Sequence, residues 1–149
     1  RKTPEKTDQT KYLKHPPYTF KLNAFEAGTL KAVGYNKDKI VISNTVTTPG
    51  IASKINCKID VSGLAPQPGS NDTIFLYAYI TDKDGNLVPD YDELVNFNCI
   101  GDVSILNTEP IYAEAGIATA LIKIGQENKP VAITASSKAM KHQITFTPQ

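Results

Sequence analysis

Acidic side chains are the residues of this chain whose type could support hydrolytic chemistry. Two carboxylates on either side of a bond can act as general acid and general base. The glutamates that fall in or near turns and loops are Glu26, Glu93, Glu109, Glu114 and Glu127. Charged side chains in such positions are ordinarily solvated. We therefore interpret them as surface residues and predict no catalytic residue among them.

A second acidic group follows the numbering of a calcium-binding loop. Its oxygen-bearing members at loop positions 1, 3, 5, 9 and 12 are Asp82, Asp84, Asn86, Asp90 and Glu93. Leu87 stands where the loop requires glycine, and Pro89 interrupts it. A turn between strands would use the same residues to hydrogen-bond the backbone. The turn is our first interpretation, and a calcium site at Asp82, Asp84, Asn86 and Glu93 is the alternative.

The histidines and cysteines give no pattern of metal ligands. His15 and His142 are far apart in the sequence and have no partner at ligand spacing, so zinc is not indicated. Cys57 and Cys99 both fall at inward positions of alternating segments. They can be buried free thiols, or they can form a disulfide if their strands are opposed and the compartment is oxidising. No cofactor is predicted.

The segment over residues 73–81 predicts a strand with two different faces. Alternation places an aliphatic set on the inward face: Ile74, Leu76, Ala78 and Ile80. The outward face carries Phe75, Tyr77 and Tyr79. Aromatic faces stack on sugar rings and also dominate protein interfaces. The outward residues are therefore predicted either to contact carbohydrate or to be covered by a neighbouring strand or domain.

The rest of the chain predicts further short strands and no helical period. Residues 1–17 are expected to be irregular. A meander of three strands is predicted over residues 18–25, 30–35 and 39–46, with Tyr18, Phe20 and Leu22 facing inward. Beyond the turn residues at 47–50, strands are predicted over residues 52–61, 73–81, 94–100, 103–106, 116–124, 131–136 and 143–147.

This organisation predicts an all-β protein of two parts. Residues 1–47 would be the C-terminal part of an immunoglobulin-like domain whose earlier strands precede Arg1, because three strands alone make a small core. Residues 51–149 would form a complete immunoglobulin-like sandwich, since about seven strands at spacings of roughly ten residues are typical of that fold. The chain lacks tryptophan, so the similarity to antibody domains concerns architecture alone.

Charge and hydropathy exclude two classes of partner. The 16 basic and 15 acidic residues give a net charge of +1, which sets up no field that would favour nucleic acid. No stretch reaches the roughly 20 apolar residues of a membrane-spanning helix. We therefore predict neither nucleic-acid binding nor membrane insertion.

Several segments resemble a known family. HPPYTF (residues 15–20), FEAGTLKAVGY (25–35) and KIV (39–41) are similar to the end of the immunoglobulin-like domain that follows the catalytic barrel in bacterial glycoside hydrolase family 2 enzymes, the β-galactosidase-like group. TPGIASKI (48–55), DKDGNLVP (82–89) and VNF (95–97) resemble the C-terminal invasin-like sandwich of the same enzymes, many of them from gut Bacteroidetes. The Gly-rich stretch usual near residues 111–118 is weak here.

The resemblance implies a function at the level of a parent enzyme. The family's two catalytic glutamates lie in the barrel, and no position here matches their motifs, so this chain is expected to be a non-catalytic accessory or scaffolding segment of a periplasmic or secreted glycosidase. Its expected partners are other domains of that enzyme, a partner subunit of a homo-oligomer, or polysaccharide. The alternatives are a carbohydrate-binding module that uses the outward aromatic residues, and a cell-surface adhesin repeat.

Overall fold

The computed structural model describes residues 7, 9–107 and 109–149, and every regular element in this part of the chain is a β-strand. The strands are β1 (Thr29–Asn36), β2 (Lys39–Thr47), β3 (Lys54–Asp60), β4 (Thr73–Thr81), β5 (Asn96–Ile100), β6 (Val103–Ile105), β7 (Ile117–Ile124), β8 (Val131–Ser137) and β9 (Met140–Phe146). The predicted all-β class is confirmed. No described segment forms a helix with the length and apolar character needed to cross a membrane.

The chain divides into two compact units, Arg1–Val46 and Thr47–Gln149. The first unit contains the hairpin of β1 and β2. Its two-residue loop has positive φ at Lys37 (45°) and Asp38 (66°), the backbone of a type I′ turn, whose twist matches that of the flanking strands. The prediction that residues 1–47 and 51–149 are one partial and one complete immunoglobulin-like domain stays a prediction, because the division into compact units does not test the type of either domain.

The strand predicted over residues 18–25 is wrong. The segment has no strand geometry, and the sheet of the first unit consists of β1 and β2. The side chains expected to face inward are exposed, Phe20 by 67% and Leu22 by 69%. Alternation expresses a preference for burial, but a strand forms only where a ladder and a covering layer are available. Residues 9–17 are irregular as predicted, whereas residues 1–6 and 8 lie outside the described part of the chain.

The second unit is a sandwich of two antiparallel sheets. The order of strands is β3-β4-β7-β6 in one sheet and β5-β8-β9 in the other. β3 contacts β9 and β5 contacts β6, so the two sheets approach each other at both sides. Four strands facing three is the arrangement of an immunoglobulin-like sandwich, which confirms the predicted architecture.

The core lies between the inward faces of these sheets. β7 alternates strictly between covered and less covered positions, β4 does so as far as Ile80, and β8 contributes from the opposite sheet. The completely or almost completely buried members include Ile74, Leu76, Ala78, Ile80, Ala118, Ala120, Ile122, Ile124, Val131, Ile133 and Ala135. Burial of each of the larger aliphatic side chains contributes about 1.5–3 kcal/mol. The inward face predicted for residues 73–81 is confirmed.

A histidine side chain joins the two sheets at one side of the sandwich, where β3 contacts β9. The backbone N–H of Cys57 on β3 donates to Nδ1 of His142 on β9, at 3.1 Å. The strand that holds His142 begins at Met140, whereas the sequence predicted a start at residue 143. The polar residues Lys141 and His142 hid the alternation of this strand, in which His142 is half-buried.

A buried chain of hydrogen bonds ties the 88–95 segment to the end of β8. The Ser137 Oγ donates to the Leu94 carbonyl at 2.6 Å. The Tyr91 hydroxyl lies 2.6 Å from the same Oγ. Because a serine hydroxyl carries one proton, and that proton goes to Leu94, Tyr91 must donate to Ser137. The two hydroxyl-bearing residues are 8% and 2% exposed, so neither hydroxyl has ready access to water.

Candidate functional site

The outward face of β4 carries the aromatic strip, which we define as Phe75, Tyr77 and Tyr79. The Phe75 and Tyr77 ring centroids lie 6.1 Å apart with 19° between the ring planes. The Tyr77 and Tyr79 centroids lie 6.2 Å apart with 48° between the planes. Phe75 is 47% exposed and the two tyrosines are half-buried. The strip is therefore a continuous line of rings that solvent can reach, on the face predicted from alternation.

β3 lies along one side of the strip and presents polar groups to it. Antiparallel register places Asn56 opposite Tyr79, Lys58 opposite Tyr77 and Asp60 opposite Phe75. All three polar side chains are exposed. Directly opposed residues on one sheet face have Cβ atoms about 4.5–5.5 Å apart. An amide, an ammonium and a carboxylate thus accompany the three rings in order.

β7 lies along the other side, where the sheet face meets a depression. Thr119 is opposite Tyr77 and Ile117 is opposite Tyr79. Both also line a surface depression of about 510 Å³. Its remaining walls come from the 106–114 segment: Leu106, Asn107, Glu109, Pro110, Ile111, Tyr112 and Glu114. Two residues that are paired with the strip therefore line the depression, so the strip and the depression adjoin each other.

The depression is walled by a segment that is fastened to β7. The Leu121 N–H donates to Asn107 Oδ1 at 2.6 Å, and Asn107 Nδ2 donates to the Thr119 carbonyl at 3.4 Å. The Leu106 N–H also donates to the Leu121 carbonyl at 2.8 Å. These bonds continue the edge of the sheet beyond β6. Sequence reasoning missed the depression because it depends on this long-range pairing.

The Asp82 carboxylate organises the turn after β4. Its Oδ1 accepts from the backbone N–H groups of Asp84 and Asn86, both at 2.9 Å. Its Oδ2 accepts from the Gly50 N–H at 2.8 Å and from Asn86 Nδ2 at 3.0 Å. These bonds, that of Gly50 foremost, hold the pKa of the Asp82 carboxyl well below its usual value. The residue is 2% exposed, so the charged form is held among backbone donors.

This arrangement disagrees with the alternative interpretation of a calcium site. A carboxylate offers about four lone-pair positions, and four N–H donors already occupy those of Asp82. Glu93, the last proposed ligand, makes an ion pair of 2.8 Å with Lys138. In residues 7, 9–107 and 109–149, no three His, Cys, Asp or Glu side chains are grouped to hold a metal ion. The turn interpretation describes these residues.

Cys57 and Cys99 are free thiols in the structure. They lie on β3 and β5, which belong to different sheets, and both pack against the core around Leu76 and Ile122. Burial raises the pKa of Cys57 to about 11 and also raises that of Cys99. Thiols of this kind are poor nucleophiles because the thiolate is disfavoured. Of the two interpretations from the sequence, buried thiols describe this state and a disulfide does not.

The candidate glutamates are spread over different parts of the chain. Glu26 lies in the first unit and is exposed. Glu127 makes an exposed ion pair of 2.9 Å with Lys129, as Glu93 does with Lys138. Glu109 and Glu114 line the depression beside the aromatic strip. The last two therefore contribute negative charge to the candidate surface, a role that their sequence positions did not reveal.

Sequence reasoning also missed a second structural carboxylate. Asp102 Oδ2 accepts from the backbone N–H groups of Gln126 and Glu127. The Asp102 carbonyl accepts from the Gly125 N–H at 2.9 Å. A side chain on Gly125 would collide with the Asp102 carboxyl. Asp102 and Gly125 are far apart in the sequence, so the local sequence around either of them does not indicate that they are close in space.

The sequence is similar to a part of a known glycosidase. No protein-family model matches the sequence. A β-galactosidase of Bacteroides ovatus is 29% identical over 133 residues, which cover 80% of this chain and 15% of that enzyme. This chain thus spans a small part of the length of its curated relative.

Solved structures share the fold. A glycosyl hydrolase family 2 member from Bacteroides cellulosilyticus has a TM-score of 0.73 and 24% identity, covering 84% of this chain and 18% of that one. A β-glycosidase from Bacteroides vulgatus has a TM-score of 0.71 and 20% identity, covering 91% and 20%. A β-glucuronidase from glycoside hydrolase family 2 has a TM-score of 0.75 and 19% identity, covering 89% and 15%.

Proposed function

We propose, from the homology of this chain to a part of glycoside hydrolase family 2 enzymes, that it is a non-catalytic accessory segment of an exported glycosidase of the β-galactosidase-like group. The observation that carries the proposal is the pair of coverages. The alignment takes in 80% of this chain but only 15% of the related enzyme. High coverage of this chain together with low coverage of the enzyme is expected when the chain corresponds to one accessory part of a large enzyme.

The acid and nucleophile of such an enzyme would lie elsewhere in the parent chain. Glycoside hydrolysis requires two carboxyl groups about 5–9.5 Å apart on either side of the scissile bond. Glu93 and Glu127 are each held in an exposed ion pair with a lysine. In this proposal catalysis belongs to a barrel domain of the parent chain, and this segment has a scaffolding role.

The physical role proposed is to cover a face of the catalytic barrel or of a partner subunit and to shape the approach to the active site. Exposed apolar side chains on the first unit support a covered state in the parent enzyme. Those on its hairpin include Leu30, Ile40, Val41, Ile42 and Val46. Large exposed apolar patches ordinarily mark interaction surfaces. Export to the periplasm or cell surface belongs to the same proposal, because polymeric glycans are met outside the cytoplasm.

The encoding gene provides the first test. We expect the reading frame upstream of Arg1 to encode a catalytic barrel with two glutamates in family 2 motifs. The parent enzyme should hydrolyse p-nitrophenyl β-galactoside, whereas this chain alone should not. A reading frame that contains only a signal peptide and further sandwich domains would overturn the proposal in favour of an adhesin.

A deletion provides the second test. The parent enzyme without residues 47–149 should lose thermal stability or show an altered KM for a polymeric substrate, because a covered face becomes exposed. The matched control is the same deletion assayed on the small chromogenic substrate, for which access is not limiting. Unchanged stability, oligomeric state and KM on both substrates would contradict the scaffolding role.

A further inference from the structure

We propose that the outer face of the four-stranded sheet binds a neutral β-linked polysaccharide, with successive sugar rings stacked along the aromatic strip. This inference rests on the proposed function for its choice of ligand class, since an accessory segment of a glycosidase is exposed to glycans. It goes further by assigning a binding surface to named residues. Its evidence is the geometry of the strip, the polar groups beside it and the depression that adjoins it.

The rings of the strip form a closely spaced row that solvent reaches from one side. Neighbouring centroids lie 6.1 and 6.2 Å apart, with 19° and 48° between the ring planes. Phe75 is 47% exposed and the two tyrosines are half-buried, so a ligand would meet the outer side of this row. Four residues of strand at a rise of about 3.3 Å place the ends of the strip about 13 Å apart. This length accommodates two to three consecutive pyranose rings.

The polar groups of β3 supply hydrogen bonds along the same line. Lys58 beside Tyr77 is a donor, and Asp60 beside Phe75 is an acceptor. A sugar ring presents apolar C–H groups on its face and hydroxyl groups at its rim. A row of aromatic faces next to a row of exposed donors and acceptors matches both parts of that ligand. A purely apolar protein partner would instead leave these charges desolvated and unpaired, which is costly.

Charge selects a neutral chain. The two charged residues of β3 that lie opposite the strip, Lys58 and Asp60, are of opposite sign, and the third, Lys54, lies beyond the end of the strip opposite Thr81. Glu109 and Glu114 add negative charge in the depression next to Tyr77 and Tyr79. An anionic glycan would therefore be repelled at this side of the strip. The depression instead offers carboxylate acceptors for the hydroxyl groups of a neutral branch or a neighbouring sugar unit.

Linkage selects an extended chain. Chains joined through equatorial β-1,4 bonds form flat ribbons in which ring faces follow a line, whereas α-1,4-linked chains coil. The strip is straight because it follows one strand of a sheet. An extended chain can therefore follow the line of the three residues, whereas a coiled chain would leave it.

The test is affinity gel electrophoresis and titration calorimetry with the full chain and four soluble probes. These are glucomannan, hydroxyethylcellulose, carboxymethylcellulose and amylopectin. We expect retardation by at least one of the two neutral β-linked polymers. Binding should be about tenfold weaker to carboxymethylcellulose than to hydroxyethylcellulose, which has the same backbone without the charge, and should be absent with amylopectin.

Variants of the strip locate the site. Tyr77→Val keeps a strand-forming side chain and should weaken binding about tenfold or more, whereas Tyr77→Phe should retain it. Tyr35→Val on β1 is the matched control, because Tyr35 is as exposed as Phe75 but lies in the other unit. Melting temperatures of all variants should stay close to that of the unmodified chain, which separates lost binding from lost folding.

Three results would overturn the inference. They are absence of binding to both neutral β-linked polymers, unchanged binding by a folded Tyr77→Val variant, and self-association of the chain that Tyr77→Val abolishes. The last result would assign the strip to a second copy of the chain. A catalytic barrel upstream combined with no glycan binding would refute this inference alone. Binding without any barrel would keep the site and refute the accessory role.

Discussion

Replacement of Ser137 by alanine should destabilise the sandwich far more than the loss of one hydroxyl at the surface would. The Ser137 Oγ accepts from Tyr91 and donates to the Leu94 carbonyl, each at 2.6 Å. Ser137→Ala leaves the tyrosine hydroxyl buried with no acceptor and removes the only described side-chain donor to that carbonyl. A buried polar group left without a partner costs about 1–3 kcal/mol. Leu94 is more exposed than the other two residues, so water can partly replace its donor.

The total expected loss is about 2–3 kcal/mol in the free energy of unfolding. Small domains are stable by about 5–15 kcal/mol, so this is a substantial share. With a urea m value of about 1.5 kcal/mol/M, the midpoint should fall by roughly 1.3–2 M. Tyr91→Phe should cost only about 1 kcal/mol, because Ser137 can still donate to Leu94.

Urea titration followed by far-UV circular dichroism measures both changes, and tyrosine fluorescence gives a second probe in a chain without tryptophan. The double variant should be more stable than the sum of the two single losses predicts, by about 1 kcal/mol, because it removes the stranded hydroxyl together with its acceptor. A loss below about 0.5 kcal/mol for Ser137→Ala, or strict additivity in the double variant, would refute the reasoning.

Three further predictions concern a carboxylate, a glycine and a thiol. The folded state lowers the pKa of the Asp82 carboxyl, so the carboxylate stabilises the fold above the unfolded pKa of about 3.9, and this stabilisation is lost as pH falls towards the folded pKa. The Asp82→Asn variant should therefore be less stable at neutral pH, and its melting temperature should change less between about pH 5 and 3 than that of the unmodified chain. Gly116→Ala combines a φ of +79° with a collision against the Val88 carbonyl, and should lower the free energy of unfolding by about 2–4 kcal/mol in a urea titration. Gly85→Ala, with a φ of +88° and open space around it, should lower it by only about 1–2 kcal/mol, and equal losses would contradict the collision. Burial raises the pKa of Cys57 to about 11, so the protonated thiol favours the folded state, and this stabilisation is lost as pH rises from the unfolded pKa of about 8.5 through the folded pKa. Iodoacetamide at pH 8.5 should therefore alkylate the native chain much more slowly than the urea-unfolded chain. Equal rates would show that the thiol is accessible in the folded state.

The sequence was sufficient to predict β4 and its two faces because alternation from Thr73 to Ile80 reflects burial on one side of a sheet, although the last residue of the strand, Thr81, is also buried. The aliphatic residues from Ile74 to Ile80 are buried and Phe75 is exposed, as predicted. The same rule failed for residues 18–25, where alternation exists without strand pairing. Local pattern thus predicts a strand reliably only when the rest of the chain provides a neighbour for it.

The candidate surface could be predicted only in part. The outward aromatic residues followed from period-two alternation. The depression did not, because it depends on Asn107 reaching Leu121 and Thr119 across the chain. The role of Asp82 was similarly hidden, since its contact with Gly50 spans 32 positions and a calcium-loop spacing arises from the same residues. Local turn chemistry and cation ligation use identical oxygen atoms, and only the donors that surround them distinguish the two.

The hairpin of the first unit has a consequence for handling the purified chain. β2 carries consecutive exposed apolar residues at Ile40, Val41 and Ile42, and no proline occurs among its nine residues. An apolar, proline-free strand in a two-stranded sheet can template the addition of strands from other molecules. The sandwich is less vulnerable, because contacts of β3 with β9 and of β5 with β6 cover its sides. Fibrillar aggregation of the isolated chain at high concentration should therefore begin at β2, and lysine in place of Val41 should delay it.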